Sequence, residues 1–160
     1  MDAVFRYHIP ELHPLAVHFP IALLAAAALA ALVWMGWGAP FWRRVTCLLS
    51  ILGMAGALFA WFTGDSMQEQ AEGVPIVDEL VGLHEQMALY ALIAAILAFV
   101  ALGLLTWLGR AGQSEGSRFA GMNPDRLSYR LGAGFLVLAA AALVAWAGHI
   151  GATMAWGVSG

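Results

Sequence analysis

Leu12-His13-Pro14-Leu15-Ala16-Val17-His18-Phe19-Pro20-Ile21-Ala22-Leu23-Leu24, residues 12–24, puts two imidazoles and two prolines at the head of an apolar run that continues without Asp, Glu, Lys or Arg to Gly36. That length meets the requirement of about 20 apolar residues for a helix crossing the hydrocarbon core of a bilayer. An ionisable residue at the edge of such a span is costly and by default marks a functional site with partners elsewhere in the chain. Pro14 suits a first helical turn, where its missing N–H is an orphan anyway. Pro20 lies six residues further in. It removes a backbone bond to residue 16, so a kink or a freed carbonyl is expected beside His18.

Outward from this stretch, three more segments of spanning length follow, which with the first gives spans at about 15–36, 41–62, 80–108 and 127–149. The composition agrees: 62% of the 160 residues are hydrophobic and 11% charged, far from the half apolar and quarter charged of soluble domains. The expected fold is therefore all-α, a single-domain integral membrane four-helix bundle with up-down topology. The first segment follows His13-Pro14 rather than a basic region and ends in Trp34-Met35-Gly36-Trp37. That is unlike a cleaved signal peptide, and it reads as a permanent span. Ala25 to Ala28, Gly53 and Gly56 predict close helix approach, and Trp34, Trp37 and Trp42 are expected at the membrane interface.

Orientation follows from the arginines, since the chain has no lysine. Arg43, Arg44, Arg110, Arg118, Arg126 and Arg130 fall on one side of a four-span bundle, and only Arg6 on the other, which also holds both termini. The positive-inside bias makes the arginine side cytoplasmic. The expected location is a bacterial inner membrane with both termini periplasmic. The loop Gly64 to Glu79 carries Asp65, Glu69, Glu72, Asp78 and Glu79, and Glu85 follows it. The outer face thus sums to about minus seven and the inner to about plus four. The single cysteine, Cys47, excludes an internal disulfide and any C-x-x-C site. The sequence contains no phosphate loop, nucleophile–base pair or nucleic-acid signature.

In an up-down bundle His18, His84 and His149 all lie about one turn inside the same surface, with His13 just above them and His8 in the leader. The face running from His84 through Met87, Ala88, Ala91 and Ala95 is a groove of small residues beneath an imidazole. A neighbouring helix or a flat cofactor could fill it. Each imidazole could also serve packing alone, bonded to a carbonyl such as the one Pro20 frees.

The motif His13-Pro14-Leu15-x-Val17-His18-Phe19-Pro20-Ile21-Ala22-Leu23 resembles the opening signature of a bacterial four-helix membrane family of unknown function. Thr63-Gly64, His84 at the start of span three and Gly148-His149-Ile150-Gly151 also resemble that family, so the likeness covers nearly the whole chain. Some of its members are fused to c-type cytochrome modules, which implies a redox setting and haem b. Relatives tend to read Gly-His-x-Gly-Gly with a further His-Gly beyond. This chain departs from that with Gly151-Ala152 and Trp156-Gly157.

Three functions follow. A b-type cytochrome-like electron-transfer protein would hold haem b by two histidines, an arrangement that needs no covalent C-x-x-C-H attachment. The first expected pair is His18 and His84 on diagonal helices, with His149 or His13 as replacements. A non-haem metal protein would use the same histidines, with Asp65 or Glu85, for zinc, copper or iron. A structural subunit would instead dock its small-residue faces within a larger respiratory complex. Expected partners are the lipid bilayer, a periplasmic c-type cytochrome or that complex, and a second copy of the chain. No reaction is assigned.

Overall fold

The computed structural model describes residues 12–71, 73–113 and 118–157. His8 and the charges at Asp2, Arg6, Glu11, Glu72 and Glu115 lie outside the described residues, as do the side chains of Asp65 and Glu69. The chain is all-helical: α1 His13–Ala16, α2 His18–Trp37, α3 Pro40–Ala71, α4 Pro75–Ala111 and α5 Leu127–Trp156. With α1 leading into α2, this gives four helical segments long and apolar enough to cross a membrane.

The break between α1 and α2 falls at Val17, whose N–H still reaches the His13 carbonyl. It sits three residues before Pro20, where the proline ring crowds the preceding turn and cannot donate to Ala16. The ring itself is buried against α3, because Gly56 has no side chain there: an added Cβ would meet Pro20 Cδ at 3.1 Å. One turn deeper, Leu24 sits over Gly53 in the same way.

Helix α2 packs on α3 and α5, and α4 packs on the same two, so α2 and α4 are diagonal across an up-down bundle. The interior is built from small residues. Ala27, Ala31, Ala91, Ala95, Ala98, Ala133 and Ala140 are buried, with Leu24, Leu102, Val137 and Trp34 as the large fillers. Large apolar side chains such as Leu29, Leu97, Leu104, Phe135 and Trp146 point outward. In a bilayer this inversion is expected, because lipid tails solvate Leu and Phe while close backbone approach supplies the association energy.

Two expectations change. The acidic segment 64–79 is mostly helix, since α3 continues to Ala71 and α4 starts at Pro75; Gly73, at φ +87, makes the turn. Hydropathy marks only where a helix meets lipid, and the 37 residues of α4 reach about 55 Å, well beyond a ~30 Å core. Trp34 is the second. It is fully buried in the bundle and does not face lipid, and its indole N–H donates to Asp125 Oδ1 at 2.8 Å. The other oxygen of Asp125 pairs with Arg43 Nη1 at 2.6 Å, both side chains nearly buried. Arg130 Nη1 donates to the Trp34 carbonyl at 3.2 Å, beside the left-handed Gly38 that ends α2. The arginine-rich end of the bundle is thus tied together across α2, α3 and the start of α5.

Candidate functional site

At the opposite end the structure brings His13 and His84 together. Their ring centroids lie 6.4 Å apart with planes at 84°, and both residues are half-buried. His13 stands on α1, where the break at Val17 lets it lean onto α3. Its Nδ1 lies 2.9 Å from the Ala60 carbonyl and 3.2 Å from Thr63 Oγ1, and Thr63 itself donates to that carbonyl. His84, nine residues into α4, places its Nδ1 3.0 Å from the Ala147 carbonyl of α5.

A carbonyl oxygen can only accept, so each of these rings carries its proton on Nδ1. In the neutral ring this leaves Nε2 as the nitrogen with the lone pair. An Nδ1–H bound to a backbone carbonyl, with Nε2 left to coordinate, is how proteins orient metal-binding histidines and fix their tautomer.

Both hairpins build this half-site alike. In α1–α3, His13 bonds the Ala60 carbonyl and rests on Gly64, where an added Cβ would be 3.4 Å from the ring Cε1. In α4–α5, His84 bonds the Ala147 carbonyl and rests on Gly151, where the added Cβ would be 3.2 Å from Cε1. The two acceptor helices carry the same pattern, Ala60-x-x-x-Gly64 and Ala147-x-x-x-Gly151. The reason is helical geometry: residue i+4 sits one turn above the carbonyl of residue i, so a side chain there would stand where the imidazole must lie.

His18 and His149 lie on exposed faces. Five helical residues turn through about 140°, so His18 cannot share the direction of His13. Its Nδ1 instead lies 2.5 Å from the carbonyl of Pro14, one turn back. His149 follows Ala147 by two residues, about 200° round the helix, and its ring packs at 5.7 Å on Trp146. Among the described residues, no group of three or more His, Cys, Asp or Glu is placed to hold a metal ion.

The groove below His84 is partly filled. Ala91 and Ala95 are packed by Leu24 from α2 and by Ala140 and Val144 from α5, while Met87 and Ala88 above them stay half-buried. A bound group therefore has to sit at the level of Met87 or above. What the motif reading missed is the role of Ala60, Thr63, Gly64, Ala147 and Gly151. The signal available for it was the repeated Ala-x-x-x-Gly at the ends of α3 and α5.

Fold and site together define the class, a multi-pass all-helical membrane protein with two neighbouring imidazoles, edge to face, at one end of its bundle. The chain belongs to the family described as predicted membrane protein (DUF2231), whose model matches residues 9–159. No curated protein and no solved structure matches it.

Proposed function

We propose that the chain is a b-type cytochrome-like membrane protein that holds haem b between His13 and His84 and passes electrons at the end of the bundle bearing both termini. The observation that carries this reading is the pair itself: two imidazoles whose Nδ1 atoms are engaged by backbone carbonyls and whose centroids lie 6.4 Å apart. With metal–nitrogen bonds of about 2.0–2.1 Å, two imidazoles on opposite sides of one ion have centroids about 6.3 Å apart. A tetrahedral angle would bring them closer. Two protein ligands also suit haem, whose macrocycle supplies the remaining nitrogens, better than zinc, which takes three or four from the protein.

When bound, the haem supplies one-electron chemistry. His13 and His84 would hold it, the Ala60 and Ala147 carbonyls would fix the two tautomers and raise ligand basicity, and Gly64 and Gly151 leave room for the rings. With the arginine-rich end cytoplasmic by the positive-inside rule, the site faces the periplasm of a bacterial inner membrane. Asp78, Glu79 and Glu85 beside it favour a partner with a basic patch, such as a soluble c-type cytochrome.

The test is an optical spectrum of the purified protein, oxidised and then reduced. A low-spin haem signature is expected in wild type, His18→Ala and His149→Ala, and its loss or conversion to high spin in His13→Ala and His84→Ala. Wild type without haem but with stoichiometric zinc, copper or iron would move the same pair of imidazoles to the non-haem reading. Neither haem nor metal would leave a structural subunit.

A further inference from the structure

The two half-sites share an acceptor carbonyl and a glycine, and they differ at the residue just before the glycine. There α3 carries Thr63 and α5 carries Ile150, which is buried and has no polar atom in its side chain. Thr63 Oγ1 makes two contacts at the site: it donates to the Ala60 carbonyl at 3.0 Å and lies 3.2 Å from His13 Nδ1. A hydroxyl has one proton. With that proton on the carbonyl, the oxygen meets the imidazole as an acceptor, and the His13 N–H is shared between Ala60 and Thr63 in a three-centre bond. The sharing has a cause. Helix α3 runs unbroken through this turn, so the Ala60 carbonyl also takes the N–H of Gly64, and three donors exceed its two lone pairs. At the other half the Ala147 carbonyl serves two donors, the Gly151 N–H of its own helix and His84, and its lone pairs suffice.

We propose that Thr63 is a positioning residue that sets the ring plane of His13 and so keeps the two imidazoles near perpendicular, at the 84° found between them. His13 stands on a helix of four residues, and with a single acceptor its ring would swing about that oxygen by turning at Cβ–Cγ. Two acceptors and the tether to Cβ locate Nδ1, and the ring plane follows. His84 stands on the 37-residue α4, with Gly151 so close that an added Cβ would be 3.2 Å from its ring, and needs no second acceptor. The consequence rests on the haem reading. Imidazoles with crossed planes donate to different iron d orbitals and leave them nearly equal in energy, which makes the magnetic signature of low-spin ferric iron strongly anisotropic; parallel planes make it rhombic. Partners behind the ligands tune an iron centre in this way as well as hold it.

Electron paramagnetic resonance of the oxidised, haem-loaded protein and nuclear relaxation of the His13 ring in the isotope-labelled apo-protein test it, with Thr63→Val and Thr63→Ser as the variants. Valine keeps the shape of threonine and strands no buried group, since His13 and Gly64 still have the Ala60 carbonyl, so Thr63→Val should fold as wild type. Wild type and Thr63→Ser should give one strongly anisotropic low-spin signal. Thr63→Val should lose it to a spread of more rhombic signals and retain haem about tenfold more weakly. In the apo-protein the order of the His13 ring should drop in Thr63→Val and return in Thr63→Ser, with the His84 ring unchanged throughout. A rhombic signal from wild type, an unchanged signal from Thr63→Val, or an apo His13 ring as ordered in Thr63→Val as in wild type would overturn the proposal. If wild type takes up no haem, the haem reading fails by itself and the ring measurement alone decides the role of Thr63.

Discussion

Single atoms decide both ends of this bundle. A methyl group added at Gly151 would stand 3.2 Å from His84 Cε1, and one at Gly64 would stand 3.4 Å from His13 Cε1. The ring must give in each case, and the Nδ1–H bond to the carbonyl one turn below gives with it. Gly151→Ala should therefore weaken haem retention by about 10–100-fold, the usual cost of disturbing an outer partner of a metal ligand. Gly64→Ala should weaken it less. Titration of the apo-protein with haem, followed optically, measures both, and equal affinity in Gly151→Ala and wild type would remove the half-site argument. At the other end, Asp125→Ala strands Arg43 and the Trp34 indole in a nearly dry setting, and breaking a buried ion pair from one side costs about 3–5 kcal/mol. Its melting temperature should fall well below that of Asp125→Asn, which keeps an acceptor for Trp34. The contact at the second end is not written locally in the sequence. Trp34 and Asp125 are 91 residues apart, and a tryptophan near the end of an apolar run reads as an interface anchor unless its partner is known.

Helices carry the next level. The spans were legible because hydropathy over some 20 residues is the strongest signal a membrane protein offers. The polar extensions were not, because Gln68-Glu69-Gln70-Ala71 are good helix formers and Asp78 suits the first turn of α4, yet a hydropathy reading assigns both to a loop. The expected disturbance at Pro20 does occur, and its consequence is positional: by separating α1 from α2 it lets His13 reach α3. Pro20→Ala should allow residues 13–37 to run as one helix and swing His13 away from Ala60. Stability should change by no more than about 1–2 kcal/mol, a small cavity beside Gly56 being offset by the restored helical turn. Haem occupancy should nevertheless fall, with His84 left as the remaining ligand and a high-spin spectrum. An unaltered low-spin spectrum would show that the break at Val17 does not place His13.

For the whole molecule, depth was legible and direction was not. The sequence places four histidines near one surface, and the bundle geometry then sends His13 and His84 inward and His18 and His149 outward, a distinction that needs the rotation of each helix about its axis. Sidedness rests on charge, and it is testable with Cys47→Ala as background. A cysteine at Gly73 should react with an impermeant thiol reagent in intact cells and a cysteine at Gly112 only after lysis; the reverse pattern would invert the protein. If electrons pass to a soluble carrier, changing Asp78, Glu79 and Glu85 to amides should slow second-order transfer at low ionic strength. The difference should vanish as screening shortens toward the ~8 Å of physiological salt. Equal rates for the two proteins at low salt would exclude these carboxylates as a docking surface.

The matched construction of the two hairpins bears on how the chain could be cut. Each hairpin carries one inward-turned histidine, its acceptor carbonyl and the glycine beneath the ring, so each supplies one half of the pair. The connection between them, residues 72–74, serves mainly to hold the halves at high effective concentration. Expressed as separate polypeptides ending at Ala71 and starting at Gly73, they still have every contact across α2–α5 and α3–α4 to find one another by. On the proposed haem-binding reading their reunion would be visible by colour, since only the reassembled pair brings His13 and His84 together.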